Sequence, residues 1–128
     1  RVIGVSIERS PAMLESLKLG RPADIEEQDT LADSLLGGIG RENHYTMELV
    51  RRYVDEHVVV NEEDVERGMR YIFTHHGLVA EGAAAVGIGA MLSAKVDVSG
   101  RRVGTVLTGR NVAPEVYLSV IHKEKMHE

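Results

Sequence analysis

The chain has 128 residues, enough for one domain with a real core. Its 43% hydrophobic and 27% charged content is ordinary for a globular protein, and a formal charge of −5 argues against the clustered Lys and Arg of a nucleic-acid footprint. Cysteine is absent, which removes disulfides, a thiolate nucleophile and a Cys-ligated metal and fits a reducing compartment, and no apolar run approaches the ~20 residues needed to span a bilayer.

Val2 to Ile7 is a mostly apolar, β-branched run, the pattern of a strand buried on both faces. It stands directly after Arg1 with no lead-in, so the start of the chain reads as a cut end. Ser10-Pro11 predicts a helix start, with the hydroxyl as cap and proline at the first helical position. Met13, Leu14 and Leu17 form its apolar stripe, and Gly20 is its stop. Residues 21–28 are polar and irregular. Thr30 to Leu36 suits a short helix capped by Asp29 or Thr30, broken by Gly37-Gly38-Ile39-Gly40.

Tyr45, Leu49 and Tyr53 recur at helical spacing, and His57 to Val60 is a second strand. Asn61 then caps a helix whose first turn carries Glu62, Glu63 and Asp64, acids that suit its positive end. Val65, Met69, Ile72 and Phe73 form the predicted buried face of that helix, and Gly77 ends it. From about Val79 to Ala94 a helix lined with Gly and Ala allows a neighbouring backbone to approach closely. Gly100 turns the chain into a third strand, Val103 to Leu107, and Pro114 opens a last helix with Val116, Val120 and Ile121 on one face.

Three apolar strands separated by helices imply right-handed crossovers and an α/β fold with an open parallel sheet flanked by helices in three layers. Three strands leave two open edges, so further strands are expected from elsewhere. A β-branched strand ending in Thr108 and Gly109 places a hydroxyl and a bare backbone at the C-terminal edge of that sheet, where open α/β folds bind ligands. His75 and His76 are adjacent and diverge on a helix, and neither they nor His44, His57, His122 and His127 show metal-ligand spacing.

The order and spacing of these features resemble the C-terminal part of the threonine/serine dehydratases, fold-type II enzymes that use pyridoxal phosphate. The likeness is carried by the Val2 strand, the Leu31-Ala32-Asp33-Ser34 run, the Glu81-Gly82-Ala83 helix start and Leu107-Thr108-Gly109-Arg110-Asn111. It implies that residues 1–128 are a single unit, the C-terminal part of the coenzyme-binding large domain of a cytoplasmic homo-oligomer. It also implies the rest of the enzyme as partner, an amino acid as substrate, and no catalysis by this stretch alone. By the same resemblance, the Thr108 hydroxyl faces the pyridine nitrogen of the coenzyme, a position usually held by serine. Glu81 and Gly109 lie near its ring, and Asp33 and Ser34 line the pocket with backbone, although Ser34 replaces a glycine of the family.

Arg110 also replaces a glycine and either binds a substrate carboxylate or faces solvent. The family's cation site would fall on Ser6 and Ala12, which supply no carboxylate, so no metal is expected there. Its Schiff-base lysine sits in a Ser-x-Lys-x-Arg-Gly segment, and none of Lys18, Lys95, Lys123 and Lys125 has that setting. Ser6 with Glu8-Arg9, Leu31 to Ser34, and Leu107 to Asn111 lean towards the hydroxyectoine-utilisation dehydratases. No regulatory domain is expected after the Pro114 helix. The competing reading is a non-enzymatic α/β module that binds a small molecule or another protein at its strand ends.

Overall fold

A computed structural model describes residues 1–123. Its elements are β1 (Ile3–Ile7), α1 (Ala12–Leu19), a 3-10 turn (Asp33–Leu35), α2 (Thr46–Tyr53), β2 (Glu56–Val60), α3 (Glu62–His76), α4 (Gly82–Leu92) and α5 (Pro114–His122). The α/β reading with a parallel sheet holds. β1 and β2 pair in parallel, with Ile3 opposite Glu56 and Ile7 opposite Val60.

The third predicted strand does not form among the described residues. Residues 103–107 are irregular and exposed, Val106 to 77%. A strand is stabilised by its ladder partners, and β-branched side chains only favour an extended backbone. The same reason leaves Ile3 to Ser6 half-buried rather than enclosed on both faces.

Helix ends follow local chemistry. Asn61 accepts a hydrogen bond from the Asp64 N–H, and the Asp64 carboxylate accepts from the Asn61 N–H, both at 3.0 Å, a reciprocal capping box. Gly20 and Gly77 close α1 and α3 in the left-handed conformation that a Cβ disfavours. The expected Ser10 cap is absent. Pro11 occupies the N-cap position, and the buried Ser10 hydroxyl instead donates to the Arg9 carbonyl at 2.7 Å. Between Thr30 and Leu36 only the Asp33–Leu35 3-10 turn forms, without a side-chain cap.

α4 lies against both strands and α3 packs on α4. The contact between the helices is close because it is made through glycine. A Cβ on Gly68 would sit 2.5 Å from the Ala85 carbonyl oxygen, and one on Gly89 would collide with the Asp64 carbonyl. Val65, Met69 and Ile72 are buried as expected, whereas Phe73 is 39% exposed and meets Tyr117 edge-on at 5.9 Å. On α5 the buried positions are Tyr117 and Val120, with Val116 turned outward. The Tyr117 hydroxyl is buried with no partner among the described residues, and burial pushes its ionisation above the ordinary tyrosine range. Tyr45, Leu49 and Tyr53 are all exposed, and Met47 is the buried residue of α2.

Asp64 ties the start of α3 to the end of α4. Its carboxylate accepts from the Ser93 hydroxyl and pairs with the Lys95 ammonium at 2.8 Å. Lys95 Nζ also donates to the Val59 carbonyl at 2.8 Å. Burial opposes ionisation of Asp64, but Lys95, Ser93 and the Asn61 N–H outweigh it and hold the carboxyl below its usual 3.8. A depressed folded-state value contributes stability that is present above pH ~3.8 and is lost as pH falls through the folded value. Asp64→Asn is expected to cost about 2 kcal/mol at neutral pH, the range for hydrogen bonds to a charged group. It should also flatten the acid limb of the stability curve, measured by denaturant unfolding between pH 2 and pH 7. An unchanged acid limb would refute the assignment.

Candidate functional site

The site is built where α4 begins. Glu81 is the N-cap residue of α4 with extended backbone, φ −70° and ψ 163°. The carboxylate makes no hydrogen bond to its own helix. It accepts instead from the Asn111 N–H at 3.0 Å, while the Glu81 N–H donates to the Gly109 carbonyl at 3.2 Å. Glu81 is 7% exposed, so this carboxylate is buried and spent on holding the 109–111 turn. A Cβ on Gly109 would overlap the Glu81 carboxylate, so a side chain there would force that carboxylate to shift.

A second close approach fixes the other wall. A Cβ on Gly82 would collide with the Leu31 carbonyl, so α4 starts directly against the backbone of Leu31-Ala32. The Leu31 N–H is in turn held by the Glu62 carboxylate at 2.9 Å, and Glu62 opens α3 two residues after the last residue of β2. Contacts therefore run from Gly109 through Glu81, Gly82, Leu31 and Glu62 to the C-terminal end of β2. Those contacts link the turn that follows Thr108 to the C-terminal end of β2, the end of a parallel sheet where α/β proteins place ligands.

Thr108 is exposed, and its hydroxyl makes no hydrogen bond among the described residues. No aliphatic wall covers it. Arg110 is also exposed, and its side chain makes no ion pair among the described residues. Ser34 is exposed, and its N–H donates to the Asp33 carboxylate at 2.8 Å. The Asp33–Leu35 turn packs near α4, but no hydrogen bond joins the Ser34 side chain to Glu81 or Thr108 among the described residues.

The geometry thus brings Glu81, Gly109 and Asn111 into direct contact and leaves Ser34 a neighbour. Leu31 and Asn111 stand in the runs that carry the family resemblance, but sequence reasoning gave their main-chain groups no role. Main-chain partners carry no side-chain signature, and only the small residue at position 82 hinted at the approach. Lys125 and His127 lie outside the described residues. Among the described residues, no group of three or more His, Cys, Asp or Glu side chains is placed to hold a metal ion. His75 stacks on Tyr71 at 4.1 Å. No helix among the described residues is long and apolar enough to cross a membrane.

Glu81→Ala removes the acceptor for the Asn111 N–H and opens a void against Gly109. It is expected to destabilise by about 1–3 kcal/mol. It should also speed exchange of the Asn111 amide, with Glu81→Gln, which keeps an acceptor oxygen, recovering most of the protection. Equal exchange in both variants would exclude the carboxylate as the clamp.

Residues 1–109 match the family model described as pyridoxal-phosphate dependent enzyme. The chain is 40% identical over 123 residues to an L-threonine ammonia-lyase of Thermotoga maritima, covering 96% of this chain and 30% of that protein. A solved threonine deaminase from T.th. superposes with TM-score 0.66 at 29% identity, covering 88% of this chain and 40% of that one. The processed form of threonine deaminase isoform 2 from Solanum lycopersicum gives TM-score 0.79 at 20% identity, covering 94% and 35%, a likeness of fold. The chain therefore spans well under half the length of these relatives.

Proposed function

Because the chain belongs to the pyridoxal-phosphate dependent enzyme family, and within it resembles the threonine dehydratases, we propose that it is the coenzyme-ring side of a dehydratase or ammonia-lyase. The substrate is a β-hydroxy amino acid, threonine- or serine-like or derived from hydroxyectoine. Its β-hydroxyl leaves, and the resulting enamine takes up water to give a keto acid and ammonia. The lysine that binds the coenzyme and the loop that holds its phosphate belong to polypeptide preceding Arg1. This stretch is silent alone and works within a cytoplasmic homo-oligomer.

One observation carries the reading: an exposed Thr108 hydroxyl that makes no hydrogen bond among the described residues, followed by a turn held by a buried glutamate. These residues fit a planar heteroaromatic ring. Among the described residues the hydroxyl has no partner to surrender, and the bare Gly109 adds no side chain beside it. When bound, pyridoxal phosphate supplies the electron sink that lets the α-proton and the β-hydroxyl leave.

The protein's own part is placement. With the coenzyme bound, the Thr108 hydroxyl would donate to its ring nitrogen, whereas a carboxylate there would favour the protonated nitrogen. Glu81 holds the 109–111 turn so that this donor stays at a fixed position, the preorganisation on which such contacts depend. Gly109 permits the close approach on which that clamp rests.

The test is to express the whole natural protein, look for the visible absorbance of bound coenzyme, and assay keto-acid release. Threonine, serine and hydroxyectoine-derived amino acids are the substrates to compare. Bound coenzyme with turnover of a β-hydroxy amino acid is expected. Absence of both in the intact protein would remove the assignment.

A further inference from the structure

Glu62 is the first residue of α3, and the acids that follow it each meet a cation. Glu63 pairs with Arg67 at 3.4 Å, Asp64 with Lys95 at 2.8 Å, and Glu66 with Lys123 at 2.6 Å. Glu62 makes no ion pair among the described residues, and its carboxylate reaches thirty-one positions back along the chain instead. One oxygen accepts from the Thr30 hydroxyl and the other from the Leu31 N–H at 2.9 Å. The Thr30 oxygen in turn accepts from the Ala32 N–H at 3.2 Å, so one carboxylate fixes three consecutive residues. Thr30 and Leu31 are half-buried, and a bond to an ionised acceptor is about twice as strong as a neutral one.

Both ends of this clamp are anchored. The Asn61–Asp64 capping box sets the first turn of α3, and Lys95 ties Asp64 to the Val59 carbonyl of β2. At the other end Ala32 is fully buried, and the Leu31 carbonyl occupies the space that a Cβ on Gly82 would take. Gly82 adjoins Glu81, whose carboxylate holds the 109–111 turn. Two carboxylates thus fasten two loops to one helix start. Glu81 holds the turn after Thr108, and Glu62 holds the run before Asp33.

We propose that Glu62 is a positioning residue for the coenzyme, fixing residues 30–34 against the start of α4 and so setting their distance from Thr108 and Gly109. This role rests on the dehydratase reading, in which the backbone of Asp33 and Ser34 lines one wall of the ring slot and Thr108 stands on another. Glu62 acts only through Thr30 and Leu31, as support behind the groups that meet the ring. Such support counts because misplacing a reacting group by about 1 Å can cost on the order of 100-fold in rate.

The test uses the whole natural protein, with coenzyme affinity from an absorbance titration and amide exchange recorded on each variant. Glu62→Ala is expected to bind coenzyme at least ~10-fold more weakly, the loss of bonds to a charged group. Its Leu31 amide should exchange at least ~10-fold faster. Glu62→Gln drops the charge at the helix start but keeps an acceptor for the Leu31 N–H, and should recover most of both. Thr30→Val removes the hydroxyl from the same clamp and leaves the α3 start intact, so it carries the same expectation where Glu62→Ala does not fold. Combined with Glu62→Ala it should weaken binding little further, since the two act as one unit. A carboxylate that merely starts its helix would lower the denaturant midpoint without changing coenzyme affinity, and that result would overturn the role. Unchanged Leu31 exchange in Glu62→Ala would overturn the clamp itself. Coenzyme bound equally by all variants would remove Glu62 from the site and leave the dehydratase reading standing, whereas no coenzyme on the unaltered protein would sink that reading and this role together.

Discussion

A Gly89→Ala protein is expected to lose about 3 kcal/mol of stability, seen as a lower denaturant midpoint with an unchanged slope. Helix propensity alone predicts the reverse, because alanine gains about 1 kcal/mol over glycine within a helix. Sterics decide the sign. The added Cβ would overlap the Asp64 carbonyl oxygen and approach its carbon to 2.8 Å. That carbonyl belongs to the first turn of α3, held by the Asn61–Asp64 capping box and by Lys95. It cannot yield without parting the two helices over Val65, Met69 and Ala85, all buried. Gly87→Ala is the control, since its Cβ would press only on the Thr105 hydroxyl in an exposed segment and should cost under ~1 kcal/mol. Equal midpoints for the two variants would show that α3 and α4 do not meet through their backbones.

In the intact enzyme, Thr108→Val should lower kcat about tenfold and leave stability within ~0.5 kcal/mol. Valine copies the shape of threonine and removes only the hydroxyl, so the effect reports one hydrogen bond, worth about 1.4 kcal/mol. Stability is spared because Thr108 is exposed and bonds to nothing within the described residues. Thr108→Ser should recover the rate. Thr108→Asp is expected to shift the visible band of the bound coenzyme and its pH dependence, since a carboxylate favours a protonated ring nitrogen. Full activity in Thr108→Val, with an unshifted band, would place the hydroxyl away from the reaction.

Glu81 shows how far sequence reading reaches. A glutamate before Gly82-Ala83 is legible as a helix-start residue close to a site, and α4 does begin there. That its carboxylate turns from its own helix to the Asn111 N–H is not legible, because the partner is thirty positions away and main-chain. Ser10 is the converse case. Its hydroxyl matched a helix-cap pattern, and the fold used it for a neighbouring carbonyl instead.

Composition, spacing and end signals were sufficient for the α/β class, for most of the helix and strand positions near their true bounds, and for the family resemblance, since each depends on residues close along the chain. The path of residues 103–107, the outward turn of Phe73 and Val116, and the close approaches at Gly82 and Gly89 were settled only by tertiary structure. Those outcomes turn on which distant backbone arrives beside a segment. A β-branched run becomes a strand only when a ladder partner lies next to it, and a glycine becomes indispensable only when another main chain occupies the space of its missing Cβ.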